Sequence, residues 1–211
     1  KMSTTCECTS VYKNSGQPTC KGTNLAVPRK PIMVPKYKSD GTLNKIILPA
    51  TLNQAFFTAL VNQADRSQRW YPLPQFVNAE IAKAESVYET FNDGSKLFVN
   101  EGVRSFTAKF SNMQPQYISV LKSGNCNEMA VYFVDKNGSL QGMSNGTENE
   151  LYPFDLNANT FNAILNWATD TNGTSVDFSF EFATDMLDEN IRIITAGDMV
   201  SVNLLNLEGL Y

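Results

Sequence analysis

Histidine is absent from the 211-residue sequence, and this absence removes several classes of functional site. A Ser-His-Asp triad, a Cys-His catalytic pair and histidine-ligated zinc or iron all require an imidazole. The phosphate-binding patterns G-x-G-x-x-G and G-x-x-x-x-G-K-[ST] are also missing. No apolar run reaches the roughly 18 residues typical of a membrane-spanning helix, and the first residues lack the apolar segment of a signal peptide. We therefore predict no nucleotide cofactor and no membrane anchor.

Cysteine is scarce and unevenly placed, at Cys6, Cys8, Cys20 and Cys126. The spacing of the first three matches no common zinc-ligand pattern. Metal binding, a disulfide and free thiols are all compatible with it. Because no ligand set is favoured, we predict no metal and no other cofactor.

Acidic residues are rare at the start of the chain. Residues 1–47 hold eight Lys or Arg and two acids, a net charge of +6, whereas the whole chain carries −4, so residues 48–211 carry −10. Pro28, Pro31 and Pro35, which lie in this stretch, suit edge strands or polyproline-like segments. We predict an extended basic N-terminal arm over residues 1–47, attached to an acidic body.

The arm has a predicted partner, the acidic body of a neighbouring copy. Opposite charge would steer and orient such a contact more than it would tighten it. The predicted inter-subunit cations are Arg29, Lys30, Lys36 and Lys38.

The body is predicted to be mainly β. Apolar residues recur at helical spacing in one segment, near residues 51–64, where Thr51 is the expected N-cap. From residue 84 onward, short apolar runs alternate with turn signals such as NDG at 92–94 and DKNG at 135–138. The segment TFNAILNWA fits a strand or a helix, and we predict a strand. The pattern favours an antiparallel β-sandwich or barrel with one main α-helix.

The clearest strand pattern is VDFSFEFA at 176–183, with phenylalanine at 178, 180 and 182. Side chains alternate between the two faces of a strand, so we predict that the phenylalanines are buried. Asp177 and Glu181 then share the opposite face, where Lys109 of a neighbouring strand is predicted to lie across from Glu181.

No set of carboxylates forms a convincing enzyme site. Asp177 and Glu181 would lie roughly 13 Å apart along the strand, too far for a glycosidase pair. Asp185, Asp188 and Glu189 lack the regular alternation of an EF-hand loop. We therefore predict a protein that is not an enzyme.

The chain nevertheless resembles a known kind of protein over nearly its whole length, from about Cys6 to Leu210. The most specific segments are RWYPLP, DG-x-K-x-F-x-x-EGVRSF and VDKNGSLQG. Further matching segments are C-E-C, RKPIMVPKYKSDGT, FTALVNQAD, LYPFDL and ATDTNG followed by SFEF. In these segments the sequence resembles virion structural proteins of tailed bacteriophages. The resemblance carries over no catalytic residues.

The resemblance implies a tail tube subunit, a small β-sandwich or barrel that assembles into stacked rings around a DNA passage. Its partners would be further copies of itself, other virion proteins and DNA in transient passage, in a virion assembled in the host bacterial cytoplasm. The acidic face of Asp177 and Glu181 would then line the lumen, since carboxylates repel the phosphates that Lys and Arg would hold. The alternative is that this face is simply solvated.

Other functions fit the same sequence. A head–tail connector, a neck ring or another minor virion protein belongs to the same class. A carbohydrate-binding β-sandwich would use Trp70, Tyr71 or Trp167 as a stacking platform. A carboxylate-based enzyme is a further alternative. Oligomeric state separates the virion proteins from a monomeric binding module or hydrolase.

Overall fold

The computed structural model describes residues 25–48, 51–100, 102–111, 113–147 and 149–209. Within these ranges the chain is mainly β-strand, with two α-helices and a few short 3-10 turns. The helices are α1, Gln54–Val61, and α2, Tyr117–Lys122. The strands are β1 Pro28–Pro35, β2 Ile46–Ile47, β3 Tyr71–Pro72, β4 Val77–Lys83, β5 Val87–Thr90, β6 Lys96–Asn100, β7 Arg104–Ser111, β8 Met129–Asp135, β9 Leu140–Met143, β10 Glu150–Leu151, β11 Phe154–Asp155, β12 Asn162–Asn166, β13 Ser175–Glu181 and β14 Ile191–Ile194.

The strands form two main sheets and two small ones. The larger sheet has the order β14-β9-β8-β1-β3, with β11 also paired to β8, and the four-stranded sheet has the order β12-β13-β7-β4. The pairs β2–β10 and β5–β6 stand apart as two-stranded sheets. Strand pairing within all four is antiparallel, and the described strands do not close into a barrel. The predicted antiparallel, mainly β class is confirmed.

The larger sheet is buried on both of its faces. Met33 and Phe133 point into one core, which they share with Phe106 and Phe180 of the four-stranded sheet. Their neighbours along β1 and β8 point to a second core, which also contains α1, Trp70 and the C-terminal segment. Burial on both faces explains why β1 and β8 are nearly continuous apolar runs instead of alternating ones.

The phenylalanines of β13 confirm the predicted alternation. Phe178, Phe180 and Phe182 are 1%, 2% and 1% exposed. The ring of Phe180 stacks on Phe106 with centroids 4.8 Å apart. The segment predicted as a strand on ambiguous evidence, TFNAILNWA, does contain strand β12, paired to β13. Local alternation of side chains was therefore sufficient to predict which face of β13 is buried.

The main helix is shorter than expected and begins at a different residue. Asn53, not Thr51, is the N-cap, and its side-chain oxygen accepts the backbone N–H of Phe56 at 2.9 Å. Asn53 has the extended backbone that an N-cap requires, so the helix begins at the next residue, Gln54. The six-residue α2 was not predicted, because so short a helix shows less than two turns of periodicity.

The predicted arm differs most from the structure. Its residues 1–24 lie outside the described residues, but Pro28–Pro35 is an inner strand, paired along its length with β8. On its other side it meets only the two-residue strand β3. Prolines are tolerated here because that side needs few backbone N–H donors. The structure thus corrects the arm boundary, since residues 25–47 belong to the body.

Candidate assembly surfaces

The predicted acidic face lies on the outer side of the four-stranded sheet. Asp177 is exposed, and its carboxylate accepts the side-chain N–H of Asn166 at 2.7 Å. Glu181 is half-buried and accepts a longer hydrogen bond from Asn157, at 3.3 Å. The predicted position of Lys109 was wrong. It lies opposite Asp177, because the register of β7 and β13 places Ser105 opposite Glu181.

The rest of this outer face is mainly polar, with two exposed apolar side chains, Ile164 opposite Asp177 and Val77 opposite Lys109. Glu80 adds a third carboxylate, since it lies opposite Thr107, which in turn lies opposite Ser179. Directly opposed residues in neighbouring strands point to the same side of a sheet. Lys109 partly offsets these acids. The described face therefore carries a net negative charge among hydroxyl and amide side chains.

The four cations predicted to contact another subunit have different environments in the structure. Lys30 is buried, and its ammonium donates to the backbone carbonyls of Leu205, at 3.0 Å, and Leu207. Lys36 forms an ion pair with Asp155 at 2.5 Å. Arg29 is exposed and Lys38 is half-buried. Lys30 and Lys36 thus hold the chain's own body together, and contact with another subunit stays a prediction for Arg29 and Lys38.

Lys30 gives a pH-dependent prediction. Burial lowers its pKa from 10.5 to about 8, against a smaller opposite effect of the Glu208 carboxylate. The unfolded chain therefore binds more protons between these values, and folding stability rises with pH there. We expect the stability of the wild-type protein relative to Lys30→Met to increase by roughly 2 kcal/mol between about pH 8 and about pH 10.

Urea unfolding of both proteins at each pH measures this difference, because titrations common to both cancel. The gain should be lost progressively as the pH falls from about 10 to about 8, with little further change below the folded-state pKa of about 8. Parallel stability curves for the two proteins over this range would show that Lys30 titrates normally.

A hairpin that sequence analysis treated only as structure groups several exposed apolar side chains of the described residues in one place. Residues 87–100, here called the free hairpin, comprise β5, a turn and β6. It prolongs the β4–β7 ladder through a hydrogen bond from Ala84 N–H to the Val103 carbonyl at 3.0 Å. Every described side chain from 87 to 99 is exposed. Six of these are large and apolar, with exposures between 46% and 55%: Val87, Tyr88, Phe91, Leu97, Phe98 and Val99.

The free hairpin is apolar on both faces. Tyr88 lies opposite Phe98, and their rings meet edge to face with centroids 5.8 Å apart. Leu97 lies opposite Glu89 and so points to the other face, as Val99 does. At the tip, Gly94 has a φ of +81°, a conformation that suits glycine. The turn chemistry therefore specifies the hairpin, while its apolar faces have no covering in the described body.

An apolar groove opens beside α2, with a volume of about 680 Å³. We call it the α2 groove. It lies where the end of β1 and the start of β8 meet α2. The 3-10 turn that follows α2 is held to the start of β12 by paired hydrogen bonds between Asn125 and the backbone of Phe161. Its lining includes Met33, Tyr37, Arg66, Tyr71, Leu73, Val120, Leu121, Cys126, Glu128, Met129 and Phe161.

The other predicted chemistry finds little support in geometry. The described residues contain no group of three or more His, Cys, Asp or Glu side chains placed to hold a metal ion. Asp188, from the acidic loop, instead pairs with Arg104 at 2.7 Å. Cys126 is an exposed free thiol, and the other cysteines lie outside the described residues. No described helix is long and apolar enough to cross a membrane.

The aromatic residues proposed as a sugar platform are separated. Trp70 is 4% exposed and stacks on Tyr132 with ring centroids 5.0 Å apart. Tyr71 lines the α2 groove. Trp167 is 83% exposed, after the end of β12. Trp70 is thus a core residue, which leaves Trp167 as the exposed ring.

Comparison with protein-family models, with curated proteins and with solved structures finds no match to this chain.

Proposed function

We propose that this chain is a self-assembling structural subunit of a tailed-phage virion, of the tail tube or ring type. The observation that carries the proposal is the free hairpin, which is apolar on both faces. A two-stranded hairpin is marginally stable at best in water, and a soluble monomer rarely exposes so concentrated an apolar surface. Burial between neighbouring subunits would cover both faces at once.

The body suits such a subunit. Its two main sheets contribute to one aromatic core, an arrangement that supports the β-sandwich of the proposal. The sequence resemblance to virion structural proteins supports the same class. The proposed role is structural and not catalytic, with other copies and other virion proteins as partners and with assembly in the host bacterial cytoplasm.

Sedimentation and electron microscopy of the purified full chain test the proposal. A tail tube subunit should form stacked rings, and a connector or neck protein should form closed single rings. A protein that stays monomeric at high concentration would contradict both forms of the proposal.

The lumen hypothesis gives a charge-reversal prediction. In a tube lined by Asp177 and Glu181, changing both to Lys adds four positive charges per subunit, repeated around every ring. Assembly should persist, because substitutions on an exposed face usually cost within about 0.5 kcal/mol. DNA passage should slow, because each Lys offers a phosphate contact in place of a repulsion.

The measurement is the DNA ejection rate of virions carrying Asp177→Lys with Glu181→Lys. Asp177→Asn with Glu181→Gln is the matched control, which removes charge without offering cations. Normal ejection by the Lys variant from intact particles would mean that this face lies in water outside the passage.

Carbohydrate binding is a second candidate, favoured by the exposed Trp167 alone. An indole 83% exposed can stack on a sugar ring. In that case Trp167→Ala should abolish binding to a glycan array while the protein remains monomeric. The free hairpin has no role in this function, which is why we place it second.

A further inference from the structure

The α2 groove and the free hairpin are both uncovered apolar features of the described body. We propose that the free hairpin of one copy docks in the α2 groove of the next copy, an inference that rests on the proposed self-assembly. The occupant of the groove is therefore a second copy of this chain.

The size and composition of the two parts agree. The groove volume of about 680 Å³ lies within the range of about 300–1,000 Å³ that holds a drug-sized ligand, so the groove has room for aromatic side chains. Its lining is mainly apolar, with Leu73, Leu121 and Phe161 among the lining residues. The hairpin offers Tyr88, Phe98 and, at its tip, Phe91. Aromatic side chains seated in apolar pockets are the usual anchors of protein interfaces.

The charges of the two parts are opposite. The free hairpin carries two acids, Glu89 and Asp93, against the single cation Lys96, and Glu85 lies just before it. Around the groove, Arg66 lines the wall, and Lys38 and Lys122 adjoin lining residues, with Asp65 and Glu128 as the acids. The hairpin thus carries a net negative charge and the residues around the groove a net positive charge, which favours an encounter in which the hairpin of one copy approaches the groove of another.

The positions of the two parts exclude docking within one chain. The hairpin prolongs the β4–β7 ladder, whereas the groove adjoins α2, which packs on β12. Strands β4 and β12 are opposite edges of the four-stranded sheet. To reach its own groove, the hairpin would have to break the hydrogen bond of Ala84 that continues the ladder.

The hairpin and the groove are different surfaces, so each copy can donate its hairpin to one neighbour and accept the hairpin of another. Repeated from copy to copy, this heterologous contact produces a closed ring or an open helical polymer, whereas reciprocal exchange between two copies would produce a two-fold dimer, which sedimentation distinguishes by its mass. The geometry therefore agrees with rings or tubes and gives each copy one donor and one acceptor surface.

The first experiment places a charge in the groove of the full chain. Val120 lines it and is 56% exposed, so Val120→Asp should leave the body folded while preventing assembly. Val200→Asp is the matched control, since Val200 is 60% exposed and lies away from the groove. Circular dichroism reports folding, and sedimentation reports assembly.

The second experiment uses the native thiol of Cys126, which lines the groove. In a Cys6→Ser, Cys8→Ser and Cys20→Ser background, Phe91→Cys or Tyr88→Cys should form disulfides between copies under mild oxidation, giving a ladder of bands. Adding Cys126→Ser should abolish the ladder. Disulfides require Cα atoms within about 7 Å, so the ladder reports direct proximity.

The outcomes separate the two proposals. Docking in the α2 groove is overturned if Val120→Asp assembles like the wild-type protein, or if neither Phe91→Cys nor Tyr88→Cys forms the disulfide ladder. Either result leaves the proposed self-assembly intact. If variants of the free hairpin also assemble normally, the hairpin is not an assembly element and the proposed function loses its main support. If the wild-type chain is monomeric, the proposed function fails together with the docking.

Discussion

Leu97→Asp combined with Phe98→Asp should abolish assembly while leaving the body folded. The two residues point to opposite faces of the free hairpin, and they are 53% and 51% exposed. A carboxylate on each face would have to be buried without a partner in any interface that covers the hairpin. Sedimentation should therefore change from an assembled species to a monomer.

The same change should have little effect on the stability of the folded body, since a substitution at an exposed position usually changes the free energy of unfolding by no more than about 0.5 kcal/mol. Leu187→Asp with Val200→Asp is the matched control, because these residues are also exposed and apolar but lie outside the hairpin. Assembly of the hairpin variant at wild-type concentration would show that the hairpin is not an assembly element, and the main support for the proposed function would be lost.

Phe180→Ala should cause the largest loss of stability of any single substitution considered. Phe180 is 2% exposed, and its ring neighbours those of Phe106, Phe161 and Phe178 at centroid distances of 4.8, 5.6 and 5.5 Å. Truncation removes buried apolar area and leaves a cavity between the two main sheets, so the free energy of unfolding should fall by about 3–5 kcal/mol.

Urea unfolding measures this loss. Ser179→Ala is the matched control, because Ser179 is the next residue along β13 and its side chain points to the outer face; we expect a change within about 0.5 kcal/mol. A loss under about 1 kcal/mol at Phe180 would be incompatible with the described core, since full burial of a phenylalanine contributes roughly 1.5–3 kcal/mol from transfer alone.

Local patterns in the sequence were enough to determine the mainly β class, the buried phenylalanines of β13 and the turns at 92–94 and 135–138. These features depend on neighbours in the chain. Alternation with a period of two selects the buried face, and Gly94 and Gly138 supply positive φ angles of +81° and +80°. No long-range contact is needed to recognise either signal.

Only the tertiary structure decided where the basic, proline-rich segment goes. From its sequence it fits an extended arm, yet β1 pairs with β8 about a hundred residues later, and Lys30 binds carbonyls 175 and 177 residues away. The energy that holds it in the body comes from burial against those distant partners, which local propensity does not report.

The same reason applies to the two assembly surfaces. The free hairpin has an ordinary apolar strand pattern, and its composition alone does not say that the body leaves it uncovered. The α2 groove is formed by segments from β1 to Phe161, brought together by packing. The register that places Lys109 opposite Asp177 likewise depends on how β7 aligns with β13. Residue pattern therefore predicted some of the strands, β13 among them, while long-range packing decided which apolar surfaces stay exposed.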